Sequence, residues 1–435
     1  MREYAKKYVE QIMIQPQDYV EDARSFFQKV NRSRAIYHGK VVKTSMQAVF
    51  YGEKDRRTFE EIGKMMMSIG NKVAKEYEKN PEFRKLYGFS PLLEQLILKD
   101  PGYSMTVPMA RYDIFYEDPE NFMFCELNTD GSSAMNEDNV LGKLFIQTKA
   151  YRDFVGQNKA VHHDLIEEWV LKSTALFEKL KGHRPNIAIV DFLESGTSAE
   201  FEAFQEAYRR KGYFTVIADP KELDFDGEHL YYKDDVIHMI YRRLVTGEMM
   251  GDIERAKPLI DAYLADKVML LGGFRSQLMH TKRIFAILHH PFCRKFLSGE
   301  ELDFIEKHIP ETQILDKTKL KEYSKKKDDW VIKAEDGYGG KGIFFGEDLS
   351  SEDFIRILED ASEHTLLQKR IRPKPMSVIN FRENHFTVEP MVWIIGIFYY
   401  LEKFQGIYTR GDKEGIIAQD AYSLPHIEWM GGNEK

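Results

Sequence analysis

MARYDIFYEDPENFMFCELNTDGSSAMNED, residues Met109 to Asp138, places ionic residues where two adjacent strands should be mostly apolar. Arg111 and Asp113 are two apart, as are Glu126, Asn128 and Asp130, so at a strand's period of two each set projects from one face. Tyr112, Ile114, Cys125 and Leu127 take the other face. Between the runs stands Asp118-Pro119-Glu120-Asn121, a turn signal in which proline presets φ, and the whole predicts an antiparallel hairpin. A symmetric turn sets Asp113 opposite Glu126 and Arg111 opposite Asn128. Carboxylates opposed across a ladder repel, so this pair is expected to hold a cation between them. Asp113, Glu126 and Asn128 offer oxygen ligands only, which suits Mg²⁺ completed by water and nucleotide phosphate. The alternative on the motif alone is an exposed hairpin with a solvated charged face.

A second motif lies at Trp330 to Gly346, WVIKAEDGYGGKGIFFG, where an apolar run ends in Lys333 and is followed by Gly337, Gly339, Gly340 and Gly342. Glycines at this density let backbone N–H groups turn toward phosphate oxygens without a Cβ in the way, and Lys333 adds a positive charge. A loose glycine-rich turn is the plain alternative. Beyond it, Ser350-Ser351-Glu352-Asp353 is a capping-box-like start, Phe354, Ile357, Leu358 and Ala361 follow at helical spacing, and TLLQKRI reads as a strand. Near the C-terminus, EPMVWI from Glu389 predicts a buried strand, Gly406 to Arg410 another with its arginine at the exit, and Pro425-His426-Ile427 closes the run.

Taken together, Arg111-x-Asp113, Glu126-x-Asn128-x-Asp130, the late glycine loop and the terminal Pro-His-Ile resemble glutathionylspermidine synthase and its relatives, the circularly permuted ATP-grasp ligases, in their synthetase domain only. The resemblance implies an α/β (α+β) fold: a circularly permuted ATP-grasp core, a small Rossmann-like subdomain and an N-terminal helical region. It implies ATP and Mg²⁺ as cofactors, with the metal on Asp113, Glu126 and Asn128. ATP would be held by Lys333, Gly337, Gly339 and Gly340, by Lys282 as a further phosphate contact, and by Gln368, Lys369 and Ile371 in the segment that hydrogen-bonds adenine. The family tends to have asparagine where this chain has Thr281. Arg111 and Arg410 would be catalytic, holding the transferred phosphoryl group or the acyl phosphate, a task suited to a planar five-donor guanidinium. A surface salt bridge to Asp412 is the other reading of Arg410. The family's glutathione site has two serines, and here Gly131 stands at the first and Ser133 at the second, so Ser133 is the substrate-binding candidate and the carboxylate and amine stay unnamed.

The expected reaction is ATP-dependent amide formation between a small-molecule or peptide carboxylate and an amine, through an acyl phosphate. A phosphotransferase that stops after phosphorylating its acceptor, and a non-catalytic nucleotide-binding regulator, remain the alternatives. Composition excludes other classes. A net charge of −8, with basic residues scattered among acids, argues against nucleic acid. Cys125 and Cys293 are too few for a disulfide framework. No signal-like segment begins the chain and no apolar run reaches membrane length, so a cytoplasmic protein without a membrane partner is expected. No Gly-x-Ser-x-Gly elbow occurs, and His162-His163 and His289-His290 should diverge rather than share a metal. Cys125 is expected to point away from the ionic face as a buried structural thiol.

Three regions follow. Residues 1–184 carry amphipathic helices and the hairpin, including a helix over Thr58 to Tyr77 with Phe59, Ile62, Met65, Met66 and Ile69 on one side. Residues 185–295 alternate strand and helix from NIAIVD through FTVIAD, as in a parallel sheet, without Gly-x-Gly-x-x-Gly. Residues 296–435 supply the lid and the last core strands.

Overall fold

The computed structural model describes residues 1–194, 197–334, 342–362, 364–413 and 421–430. Strands Met109–Asp118 and Asn121–Asn128 pair antiparallel, with Arg111 opposite Asn128 and Asp113 opposite Glu126. Asp118 Oδ1 closes the turn by accepting from the N–H groups of Glu120 at 2.9 Å and Asn121 at 3.1 Å.

The ladder departs from simple alternation at one place that matters. Ile114 faces Phe124 while Asp113 faces Glu126, which leaves Cys125 as an extra residue. Such a bulge breaks the alternation of faces. Phe122, Phe124 and Leu127 are buried in the core, whereas Cys125, Glu126 and Asn128 are all half-buried. Cys125 therefore does not join the apolar side chains as expected, and its thiol sits among the charges of Lys333, Glu126, Asp113 and Arg410.

The hairpin edges a six-stranded antiparallel sheet in the order Tyr422–Leu424, Lys403–Asp412, His385–Tyr400, Met109–Asp118, Asn121–Asn128, with Met376–Arg382 paired to the start of His385–Tyr400. The 27-residue helix Glu53–Lys79 covers its apolar face. Phe59, Ile62, Met66 and Ile69 share one core with Tyr112, Ile114, Phe124, Ile395 and Tyr399, and Met65 packs against it. This burial stabilises by roughly 1.5–3 kcal/mol per large side chain, and it leaves the opposite face of the sheet for ionic residues.

Four parallel strands, Met269–Leu271, Met239–Arg242, Ile187–Val190 and Thr215–Ala218, form a separate sheet. Arg242 and Arg243 at the end of its second strand tie it to the hairpin. Arg242 lies 2.7 Å from Asp130, both nearly inaccessible, and Arg243 bonds Glu200 at 2.7 Å and the Ser132 carbonyl. Asp130, read from spacing as part of the ionic face, instead lies beyond the strand end and also accepts from the Thr246 N–H at 2.8 Å.

A third sheet pairs Thr312–Ile314, Thr365–Lys369, Trp330–Ala334 and Ile343–Phe345, all antiparallel. Helix Ser351–Asp360, capped by Ser350, backs it through Phe354 and Leu358, which form a core of their own with Tyr323, Trp330, Ile332 and Leu367. Last, His426–Trp429 lies between Val49–Tyr51 and Ala160–Val161. The neighbouring histidines diverge there: His162 reaches Asp138 Oδ2 at 3.0 Å, an oxygen 2.9 Å from His426, while His163 reaches Glu428. Among the described residues, no helix is long and apolar enough to cross a membrane.

Candidate active site

One row across the central sheet runs Glu126, Asp113, Gly396, Tyr408. Gly396 is the necessary gap. A Cβ there would stand 2.7 Å from Arg111 Cδ and 2.9 Å from Asp113 Oδ1, so any side chain would displace the pair. Across that gap Arg410, two residues along from Tyr408, reaches Asp113 Oδ2 at 3.3 Å. Arg111 clasps the same carboxylate with two prongs, Nε to Oδ1 at 2.8 Å and Nη2 to Oδ2 at 3.1 Å, and its Nη1 donates to the Ser133 carbonyl at 2.8 Å.

Glu126 has its own counter-charge in Lys282, 3.2 Å away. Burial opposes its ionisation, but Lys282 and Lys333 outweigh that and hold the carboxyl down at about 2. The opposed carboxylates are thus compensated by cations of the protein itself, and the repulsion argued from sequence does not by itself require a bound metal. The donor set nevertheless fits a hard divalent ion. Asp113 and Glu126 face each other and Asn128 follows two residues on, all three offering oxygens, while the amide nitrogen of Asn128, buried with no hydrogen-bond partner in the protein, is a donor suited to an anionic oxygen.

The four-stranded antiparallel sheet meets the hairpin at Lys333, whose Nζ donates to Gln368 Oε1 at 2.7 Å and approaches the Cys125 carbonyl at 3.4 Å. Gln368 in turn donates to Thr312 Oγ1 at 3.0 Å. Lys369 is not drawn in: its ammonium lies 4.4 Å over the Trp330 ring and 3.8 Å from Asp329, while its N–H is bonded to the Glu311 carbonyl. Ile371 is half-buried just beyond that strand. Gly337, Gly339 and Gly340 lie outside the described residues. Arg111, Glu126, Asn128, Ser133 and Arg410 line one cleft, Lys282 lines an adjoining cavity that shares Glu126 and Asn128, and Asp113 lies behind Arg111 and Arg410, its carboxylate held by both.

Three residues of this cleft were not singled out from the sequence. Glu137 is 1 % exposed, its Oε2 has no partner in the protein, and burial together with the Glu200 carboxylate pushes it up to about 8. Burial likewise raises Asp191 to about 7 against the pull of Arg243. His280 is kept neutral by burial, with a ring N–H on the Leu127 carbonyl. Glu137 falls in the first turn of helix Met135–Phe145, where an acid reads as an ordinary complement to the helix dipole.

No family model and no curated protein matches this chain. The ionic face of the six-stranded antiparallel sheet meets the smaller four-stranded antiparallel sheet at Lys333. Among solved structures, a glutathione synthetase-like effector from Globodera pallida in its apo form aligns with a TM-score of 0.62 at 13 % identity, over 96 % of this chain and 98 % of that one. D-alanyl-alanine synthetase A from Vibrio cholerae O1 biovar eltor and the ATP-grasp ligase PsnB, complexed with a minimal precursor, each align over 55 % of the chain, at 11 % and 12 % identity and covering 86 % and 89 % of their own lengths. Their TM-scores of 0.28 and 0.30 are too low to bear on the fold.

Cys125 gives a direct probe of this geometry. Cys125 is half-buried and should be alkylated in the native protein while the buried Cys293 is spared. Since burial raises the Cys125 thiol above its usual range and only the thiolate reacts, alkylation should accelerate as pH rises. Peptide mass spectrometry after iodoacetamide treatment should show Mg-ATP slowing the modification. Equal labelling with and without nucleotide would remove Cys125 from the nucleotide site.

Proposed function

We propose that this protein is an ATP-dependent carboxylate-amine ligase of the glutathionylspermidine synthase-like, circularly permuted ATP-grasp type, acting with Mg²⁺ through an acyl phosphate. The observation that carries the reading is the convergence, on one sheet face, of two opposed carboxylates and an amide with Arg111, Arg410, Lys282 and Lys333. An acid-only cluster would repel phosphate, and a cation-only cluster would not hold a metal. A site with both suits phosphoryl transfer, which is chiefly positioning and electrostatics. The chain order agrees, with the metal candidates early and the lid at 312–369 late, and we retain regions 1–184, 185–295 and 296–435 as its working units.

Asp113, Glu126 and Asn128 would hold Mg²⁺, which when bound would neutralise phosphate charge. Lys333 and Lys282 then contact phosphate oxygens, Lys282 by leaving Glu126. Arg410 and Arg111 face the oxygens on which charge grows as the carboxylate is phosphorylated. On the arginine-lined side, Glu137, held protonated near neutral pH, donates to a substrate carboxylate instead of repelling it. Ser133 lies beside these groups and is the further substrate contact.

The first test is ligand linkage. At saturating Mg-ATP, on the order of a hundred times Kd, the protein should gain about 2.7 kcal/mol of stability, read as a rise in Tm that EDTA abolishes. No shift at millimolar Mg-ATP sinks the reading. A phosphate-release screen of carboxylates crossed with amines, with products weighed by mass spectrometry, then separates a ligase from a phosphotransferase.

A further inference from the structure

Away from the cleft, a carboxylate and two imidazoles meet in the interior. Asp138, on helix Met135–Phe145, has His162 Nε2 at 3.0 Å and His426 Nδ1 at 2.9 Å from one oxygen, Oδ2, and its Oδ1 accepts from the His426 N–H at 3.1 Å. The side chains of Asp138 and His426 are wholly buried, and that of His162 is 4 % exposed. None of the three lines the cleft or its adjoining cavity. Among the described residues no lysine or arginine pairs with Asp138, so its carboxylate, unlike those of Asp113 and Glu126, is out of water with no permanent cation beside it. A buried charge is costly unless it is paired or coordinates a metal.

Asp138 Oδ2 and His426 Nδ1 approach each other without the alignment of a hydrogen bond, and that ring nitrogen is buried with no hydrogen-bond partner in the protein. Ligands of one ion stand in this relation, since bonds of about 2.0–2.1 Å set neighbouring donor atoms roughly 2.9 Å apart at right angles and 3.4 Å apart at tetrahedral ones. All three donor atoms lie within 4.8 Å of one another, so the imidazoles have at most about 1.4 Å to close. Two glycines make room for the rings. A Cβ on Gly142, one turn along the helix from Asp138, would run into His162 Nε2, and one on Gly406 would stand 2.9 Å from His426 Nε2. We propose that Asp138, His162 and His426 form a transition-metal site of the Zn²⁺ class, separate from the oxygen-only set at Asp113, Glu126 and Asn128. Imidazole nitrogens with one carboxylate suit Zn²⁺, whereas Mg²⁺ takes oxygen. On loading, each ring proton moves to its far nitrogen, and for His426 this gives up the 3.3 Å contact in which Nε2 accepts from the His163 N–H. The ion would join three segments: the helix, the residue after strand Ala160–Val161 and the start of strand His426–Trp429, the outermost 288 residues apart in sequence. The site is independent of the nucleotide reading.

Cobalt binding to the full chain, without a polyhistidine tag and without nucleotide, tests this. Co²⁺ held in four or five coordination absorbs visible light far more strongly than the six-coordinate hydrated ion. Absorbance should therefore climb to one equivalent and stop, one equivalent of Zn²⁺ should abolish it, and excess Mg²⁺ should not. Zn²⁺ alone should raise Tm, reversibly with EDTA. His162→Gln keeps a donor for Asp138 but removes the ligand nitrogen, and it should weaken Co²⁺ binding by on the order of a hundredfold or more. His163→Gln should bind Co²⁺ as wild type does, since that ring faces Glu428 instead. Circular dichroism reports whether the variants are folded, and if His162→Gln is not, the wild-type spectrum and its one-equivalent end point decide alone. A wild-type spectrum no stronger than that of hydrated Co²⁺ overturns the proposal, and Asp138 is then balanced by a protonated imidazole. So does a folded His162→Gln that binds Co²⁺ as tightly as wild type. Loss of the spectrum in Glu126→Gln would place the ion in the cleft and overturn it as well.

Discussion

Glu126→Gln should lower Mg-dependent turnover by on the order of a thousandfold or more while leaving a folded protein, because it keeps the side chain's size and removes the charge that pairs with Lys282 and that the proposed mechanism gives to the metal. Its effect on stability separates two views of the site. Opposed carboxylates considered alone predict that neutralising one relieves repulsion. In the structure Asp113 is already held by Arg111 and Arg410, and Glu126 by Lys282, so the substitution instead removes an ion pair. The cost should be about 1 kcal/mol near pH 7. The sign of its pH dependence follows from the lowered carboxyl. Glu126 contributes stability above the ordinary glutamate range and loses it as pH falls toward about 2, so the gap between wild type and variant should narrow on acidification. Urea unfolding at pH 7 and pH 4, beside a phosphate-release assay, measures both effects. Full activity in the variant would refute the metal assignment.

For Arg410→Ala, turnover should fall by on the order of a hundredfold or more with ATP affinity changed only a few-fold, the pattern of a lost transition-state donor. Lysine should be a poor substitute, since one ammonium cannot face Asp113 and a phosphoryl oxygen in the way a planar guanidinium does. The reach of Arg410 over Gly396 to Asp113 places it in the cleft, where its loss should be felt in rate. Wild-type turnover for Arg410→Ala on any identified substrate pair would transfer the acyl-phosphate role to Arg111 alone.

The carboxylate pair was legible because strand alternation and a two-residue turn set register locally. Counting back from the turn at Pro119-Glu120 sets Asp113 opposite Glu126, and the pairing survives because the ladder's two register shifts, one on each strand, cancel. Helix Glu53–Lys79 was legible from its apolar stripe, and the parallel sheet from its alternation of strand and helix. Cys125 was misplaced because strict alternation has no term for a bulge, and this one arises where the ladder passes from the ionic row to Ile114 and Phe124. The side chain of Lys369 turns to Trp330 on the adjacent strand, a packing that local spacing does not show.

What chain-local chemistry set here is the set of donors: the residue types of the hairpin, their spacing, the turn that opposes them, and the strands and helices that carry them. What tertiary packing decided is how those donors are balanced. Arg410 stands 297 residues from Asp113 and meets it only because a glycine on the intervening strand leaves room. Lys282 finds Glu126 across roughly half that stretch of chain. Glu137 is perturbed by Glu200, which the packing of the parallel sheet brings against the start of its helix. Charge state in a cleft depends on every neighbour within a few ångströms and on how much water is excluded, and neither quantity is a property of a local stretch of sequence.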